Sequence, residues 1–192
     1  MLQTDYPELE IRRIETIGPK VGDELKTSAL QAIMIALGLV LVYITFRFQW
    51  RQGIAAIITL LHDVMVVVGI FSIFDKEFTL PVIAALLTVV GYSLNDTIVI
   101  FDRIRENISK FRQRHLLPLI NQSVTETLSR TMLTSGTTLL VVLALFFLGG
   151  EIIHDFAFAL LIGVLIGTYS SIYVASPVVL WLTKIAPPKS SD

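Results

Sequence analysis

Gly91-Tyr92-Ser93-Leu94-Asn95-Asp96-Thr97 sets a carboxylate, an amide, hydroxyls and a phenol inside an apolar segment that opens at Leu80. Asp102-Arg103-Ile104-Arg105-Glu106-Asn107, a dense charge cluster, follows shortly after. An aspartate at membrane depth costs about 2.5–3.5 kcal/mol on insertion scales, so a chain that keeps Asp96 there offsets the cost or uses the group. At about 100° per residue, Thr88, Tyr92, Asn95 and Asp96 share one helical stripe. Arg130, Thr134, Thr137 and Thr138 share a stripe on a later apolar run. If the two stripes face each other, Arg130 supplies a cation for Asp96 and the hydroxyls can bridge water. A carboxylate in low dielectric can cycle between neutral and charged forms and so carry a proton. The competing reading is hydrogen-bonded helix packing. It suits the threonines as well as transport does, and suits Asp96 less, because an amide or hydroxyl would pack at lower cost.

His62-Asp63 is a second ionisable pair near the middle of another apolar run. It reads either as a relay element or as an internal hydrogen bond to a neighbouring helix. Ala159, Gly163, Gly167, Ser171 and Ala175 recur every four residues and form a small-residue ridge for close helix packing, with a partner helix in this chain or in another protein. Enzyme chemistry finds little support: HExxH, GxSxG and Walker A patterns are absent, and the flanks of Asp63 and Asp96 do not resemble an aspartyl dyad. The chain has no cysteine, which excludes disulfides and thiolate metal sites. Neither a cofactor nor a metal is expected.

These residues need a membrane frame to hold them. Of the 192 residues, 54% are hydrophobic and 16% charged, more apolar and less charged than soluble domains. The pattern predicts an all-α, polytopic membrane helix bundle with five spans, at about 29–46, 53–74, 79–101, 131–149 and 156–183. The last is expected to tilt or break near Pro177. Residues 1–18 form the end of a segment outside the bilayer, with a strand suggested by Leu9, Ile11 and Ile14. Residues 19–186 make up the transmembrane domain and 187–192 a tail. Residues 102–130 are expected to be a cytoplasmic connector divided by Pro118. Ser123-Val124-Thr125-Glu126 reads as a capping box, and Leu117, Ile120, Val124 and Leu128 share the apolar face of a surface-lying helix. A soluble hairpin is the alternative.

Arg47, Arg51, Arg103, Arg105, Lys110, Arg112, Arg114, Arg130, Lys184 and Lys189 fall on one side of this arrangement. Arg12, Arg13, Lys20, Lys26 and Lys76 fall on the other. The loop asymmetry places the C-terminus in the cytoplasm. A charged N-terminus outside the cell without a signal peptide suggests a piece of a longer chain. Single-sign basic tracts are absent, so no nucleic-acid partner is expected.

The Gly91–Thr97 block, followed by Phe101-Asp102-Arg103-Ile104-Arg105-Glu106-Asn107, resembles the signature of the SecF branch of the SecD/SecF family. Ile17-Gly18-Pro19-Lys20-Val21-Gly22, Leu60-Leu61-His62-Asp63-Val64 and Ser129-Arg130-Thr131 with Thr134-Ser135 and Thr137-Thr138 extend the resemblance over nearly the whole chain. The SecD counterpart resembles Val-Asp-Ala-Asn, which differs from Leu94–Thr97. The resemblance implies membership of the resistance–nodulation–division superfamily and residence in the bacterial inner membrane. It implies partnership with SecD, the SecYEG translocon and the translocating preprotein, and use of the proton gradient in late steps of preprotein export. It makes Asp96 the proton-carrying carboxylate and Arg130 its cationic partner. The sequence departs from the family in one respect. Family members carry a further helix and a periplasmic domain before Gly18-Pro19-Lys20, where this sequence has about 18 residues. Two alternatives stay open: half of a small-molecule or lipid transporter of the same superfamily, and a purely structural scaffold subunit of the translocase.

Overall fold

The computed structural model describes residues 19–47, 50–111 and 116–185, and the regular structure in them is helical. Helix α1 spans Pro19–Arg47, α2 Trp50–Ile73, α3 Leu80–Phe111, α4 Leu116–Leu148 and α5 Glu151–Ser170. A π-helical turn, Ser171–Ala175, joins α5 to α6, Ser176–Ile185. The strand expected near Leu9, Ile11 and Ile14 lies outside the described residues, as does the tail at 187–192.

Among the described residues, four helices are long and apolar enough to cross a membrane: Trp50–Ile73, Leu80–Lys110, Leu116–Leu148 and Glu151–Thr183. In α1 the apolar stretch, Gln31–Ile44, is shorter. The expected break in the last span is the π turn. It precedes Pro177, which has no N–H to donate to the preceding turn and whose ring crowds the carbonyl there.

The expected connector at 102–130 takes a different form. α3 runs without interruption out of its apolar run to Phe111, and α4 begins at Leu116 and continues to Leu148. Arg103–Glu106 and Glu106–Lys110 pairs, both at 2.6 Å, support the charged end of α3 along its own face. Pro118 sits in the first turn of α4, where its missing N–H has no intrahelical partner to lose. Ser123 is therefore not a cap: it lies inside the helix, and its hydroxyl donates to the Leu119 carbonyl at 2.8 Å. The buried face of this stretch carries Leu119, Ile120, Ser123 and Thr127, while Leu117 and Leu128 are exposed.

The turn between α2 and α3 is closed by Asp75, which adopts φ 50°. Its N–H reaches the Ser72 carbonyl, and the Lys76 N–H reaches that of Phe71, the double bond of a Schellman ending with Asp in place of Gly. Helix α5 is central and packs against α2, α3 and α4. The small-residue ridge explains its closeness to α3. A methyl group at Gly163 would collide with the Val89 side chain, and one at Gly167 would come within 3.1 Å of Ser93 Cβ. The ridge expected at Gly163, Gly167 and Ser171 is thus covered from within the chain. Ser171 is buried in the π turn and donates to the Thr168 carbonyl at 3.0 Å.

Candidate functional site

Two carboxylates are buried where α3 meets its neighbours, and they differ in how they are held. Asp63 on α2 is 1% exposed and fully partnered. Its Oδ2 accepts from Ser93 Oγ of α3 at 2.5 Å and from Ser170 Oγ of α5 at 2.8 Å. Its Oδ1 lies 3.0 Å from His62 Nδ1, whose ring is partly exposed. One side chain therefore ties three helices together, the packing role that removes a buried carboxylate's unmet bonding.

Asp96 on α3 is 3% exposed, and its Oδ2 has no hydrogen-bond partner. Two groups of α4 act on it: the nearby Ser135 hydroxyl and the charge of Arg130. No direct ion pair joins Asp96 to Arg130 among the described residues; the cation acts from the rim, where Arg130 is exposed. Ser135 is a junction. The Tyr92 phenol donates to it at 3.2 Å, and it lies 2.7 Å from Thr168 Oγ1 on α5. The Thr168 hydroxyl donates to the Val164 carbonyl at 2.7 Å, so in that arrangement the single Ser135 proton goes to Thr168. Turning it toward Asp96 would cost that bond.

Beyond Arg130 the charged ends of α3 and α4 enclose an open pocket of about 440 Å³, lined by Val99, Asp102, Arg103, Glu106, Glu126, Thr127 and Arg130. Arg103 Nε holds Glu126 at 2.5 Å, and buried Asn107 donates to Ser123 Oγ and Glu126 Oε2, each at 2.9 Å. Arg47 of α1 reaches Asp102 at 3.0 Å.

The structure brings together Asp96, Tyr92 and Arg130 of the two expected stripes. Asn95 and Thr88 are exposed on α3. Thr134 donates to the carbonyls of Arg130 and Thr131, and Thr138 to that of Thr134, so both hydroxyls are engaged by their own helix. His62 and Asp63 are paired but belong to the other cluster. The buried hydroxyl line of α4 is Thr127, Thr131 and Ser135, one position round from the stripe expected at Arg130, Thr134 and Thr138. Both lines repeat every four residues, and only packing against α3 selects between them.

Apolar helices of this length around an ionisable core define a multi-pass membrane protein. Residues 1–185 match the family model "Protein export membrane protein SecD/SecF, C-terminal", and the chain belongs to that family. A protein translocase subunit SecF of Vibrio alginolyticus is 55% identical over 174 residues, 91% of this chain and 55% of that protein. A protein translocase subunit SecDF of Thermus thermophilus is 52% identical, over 86% of this chain and 23% of its own length. The crystal structure of SecDF, described as a translocon-associated membrane protein, superposes with a TM-score of 0.83 at 51% identity, covering 87% of this chain and 23% of that one. A SecDF structure in a super-membrane-facing form gives 0.79 at 49% identity, with 88% and 23% covered. The chain spans about half the length of SecF relatives such as that of Vibrio alginolyticus.

Proposed function

We propose that this chain is the membrane portion of an accessory subunit of the Sec protein translocase, in which Asp96 takes up and releases a proton as the gradient drives late steps of preprotein export. The observation that carries the reading is the contrast between the two carboxylates: Asp63 is fully bonded, while Asp96 keeps one oxygen unpartnered beside a cation. An unpartnered buried carboxylate is costly as packing and useful as a proton carrier. Arg130 compensates the ionised form. Tyr92 donates to Ser135, whose hydroxyl stands beside Asp96. Thr134, Thr138 and Asn95 frame the same stretch, and His62–Asp63 forms a second ionisable pair that can enter a relay through the partly exposed imidazole. On this reading α1 is a fifth span, the charged ends of α3 and α4 face the cytoplasm with the C-terminus, and the bilayer is the bacterial inner membrane. The partners are SecD, SecYEG and the exported chain, with the proton gradient as the only energy source and no enzymatic step.

A purely structural scaffold would use the small-residue ridge as a docking face for its partners, and α3 covers that ridge at Gly163 and Gly167. The test is export in cells whose only copy of the full subunit carries Asp96→Asn, with membrane level and SecD association measured alongside. Export should fail while assembly is normal. Unchanged export would return the stripe to a packing role.

A further inference from the structure

We propose that Thr131 is the relay residue between Asp96 and the pocket at the charged ends of α3 and α4, working through ordered water. This rests on the proton-carrier reading of Asp96 and adds a route to it.

Register places the residue. α3 and α4 run antiparallel, with Asn107 opposite Ser123, Arg103 opposite Glu126, and Asp96 opposite Ser135. Thr131 lies on the same buried line between Ser135 and Thr127, level with Val99, and both Val99 and Thr127 line the pocket. Each four-residue step along α4 covers about 6 Å. That is too far for one hydrogen bond and is the span of a single bridging water.

Its bonding marks it out. Thr127, Thr134, Thr137 and Thr138 of α4 all donate to carbonyls of their own helix. The Thr131 hydroxyl, in a residue 1% exposed, has no partner. Asp96 Oδ2, about one turn deeper, has none either. Neither residue lines the pocket itself, but Val99 and Thr127, one step nearer the charged helix ends, do; the two unpartnered buried atoms supply the two polar partners that a bridging water needs.

The step is a proton relay. Asp96 Oδ2 gives its proton to the bridging water. That water passes a proton to Thr131 Oγ as the hydroxyl releases its own to water in the pocket. Thr131 ends neutral, Asp96 ends as a carboxylate facing Arg130, and the proton leaves beside Thr127.

The test is proton flux into proteoliposomes holding the full subunit with SecD, under an imposed pH gradient. Thr131→Val keeps the shape and removes the hydroxyl; it should slow flux about tenfold or more, the equivalent of ~1.4 kcal/mol on the barrier. Thr131→Ser should restore it. Thr125→Val, at an exposed position of the same helix, should leave it unchanged. If Thr131→Val assembles poorly, Thr131→Ala set against Thr131→Ser carries the same comparison. Wild-type flux in the hydroxyl-free variant, with flux abolished in Asp96→Asn, overturns the role of Thr131 and leaves that of Asp96 standing. Wild-type flux in Asp96→Asn overturns both.

Discussion

Gly163 of α5 lies against Val89 of α3 so closely that a single added methyl group would occupy the space of the valine side chain. This contact, with Gly167 on Ser93 one turn further along, sets the depth at which α5 presents Thr168 to Ser135 and Ser170 to Asp63. Gly163→Ala should destabilise the bundle by about 1–3 kcal/mol, the usual cost of overpacking. Val89→Ala in the same chain should recover part of that loss, because contacting residues couple. Thermal unfolding of the single and double variants in detergent measures both effects. Strict additivity would mean that the two residues do not touch.

Asp63 accepts from hydroxyls on two other helices. Asp63→Leu should cost about 1–3 kcal/mol for the Ser93 donor left without an acceptor. Asp63→Asn keeps a carbonyl oxygen in place and should cost less. The order of the two melting temperatures checks this, and equal losses would count against the three-helix tie.

Asn107 is buried where α3 and α4 leave the apolar layer, and it donates to both Ser123 and Glu126. Asn107→Ala should leave these acceptors short of a donor and loosen the mouth of the pocket. Hydrogen exchange should speed up in peptides from the two helix ends and stay unchanged near Asp63. Uniform protection throughout would contradict the assignment.

Lys76 and Asp155 pair at 2.5 Å at the opposite end of the bundle, with the ammonium 5.2 Å from the centroid of the Phe158 ring. Both side chains are partly exposed, so Lys76→Ala should cost no more than about 1 kcal/mol, and the loss should shrink in high salt. Melting temperatures at low and high salt test it.

The helical class was legible because apolar runs of this length have few alternatives. Helix ends were not. Sequence hydropathy stops near Phe101, but the Arg103, Glu106 and Lys110 pairs carry α3 on to Phe111. Asp96 stood out because a carboxylate is conspicuous among hydrocarbon, whereas Ser135, Thr131 and Thr168 look like any small polar residues of a membrane helix. Asn95 and Asp96 are neighbours in sequence but about 100° apart around the helix, and packing decides which of the two is buried. The π turn and the identity of the helix covering the ridge are three-dimensional outcomes that spacing alone leaves open.

Infrared difference spectroscopy on the full subunit reconstituted with SecD, recorded across a step in pH, reads the protonation of Asp96 itself. A carboxylic acid C=O band should appear as the protein is acidified and be missing from the Asp96→Asn variant. A band that persists undiminished in that variant would show that the titrating carboxyl lies elsewhere and that Asp96 does not carry the proton.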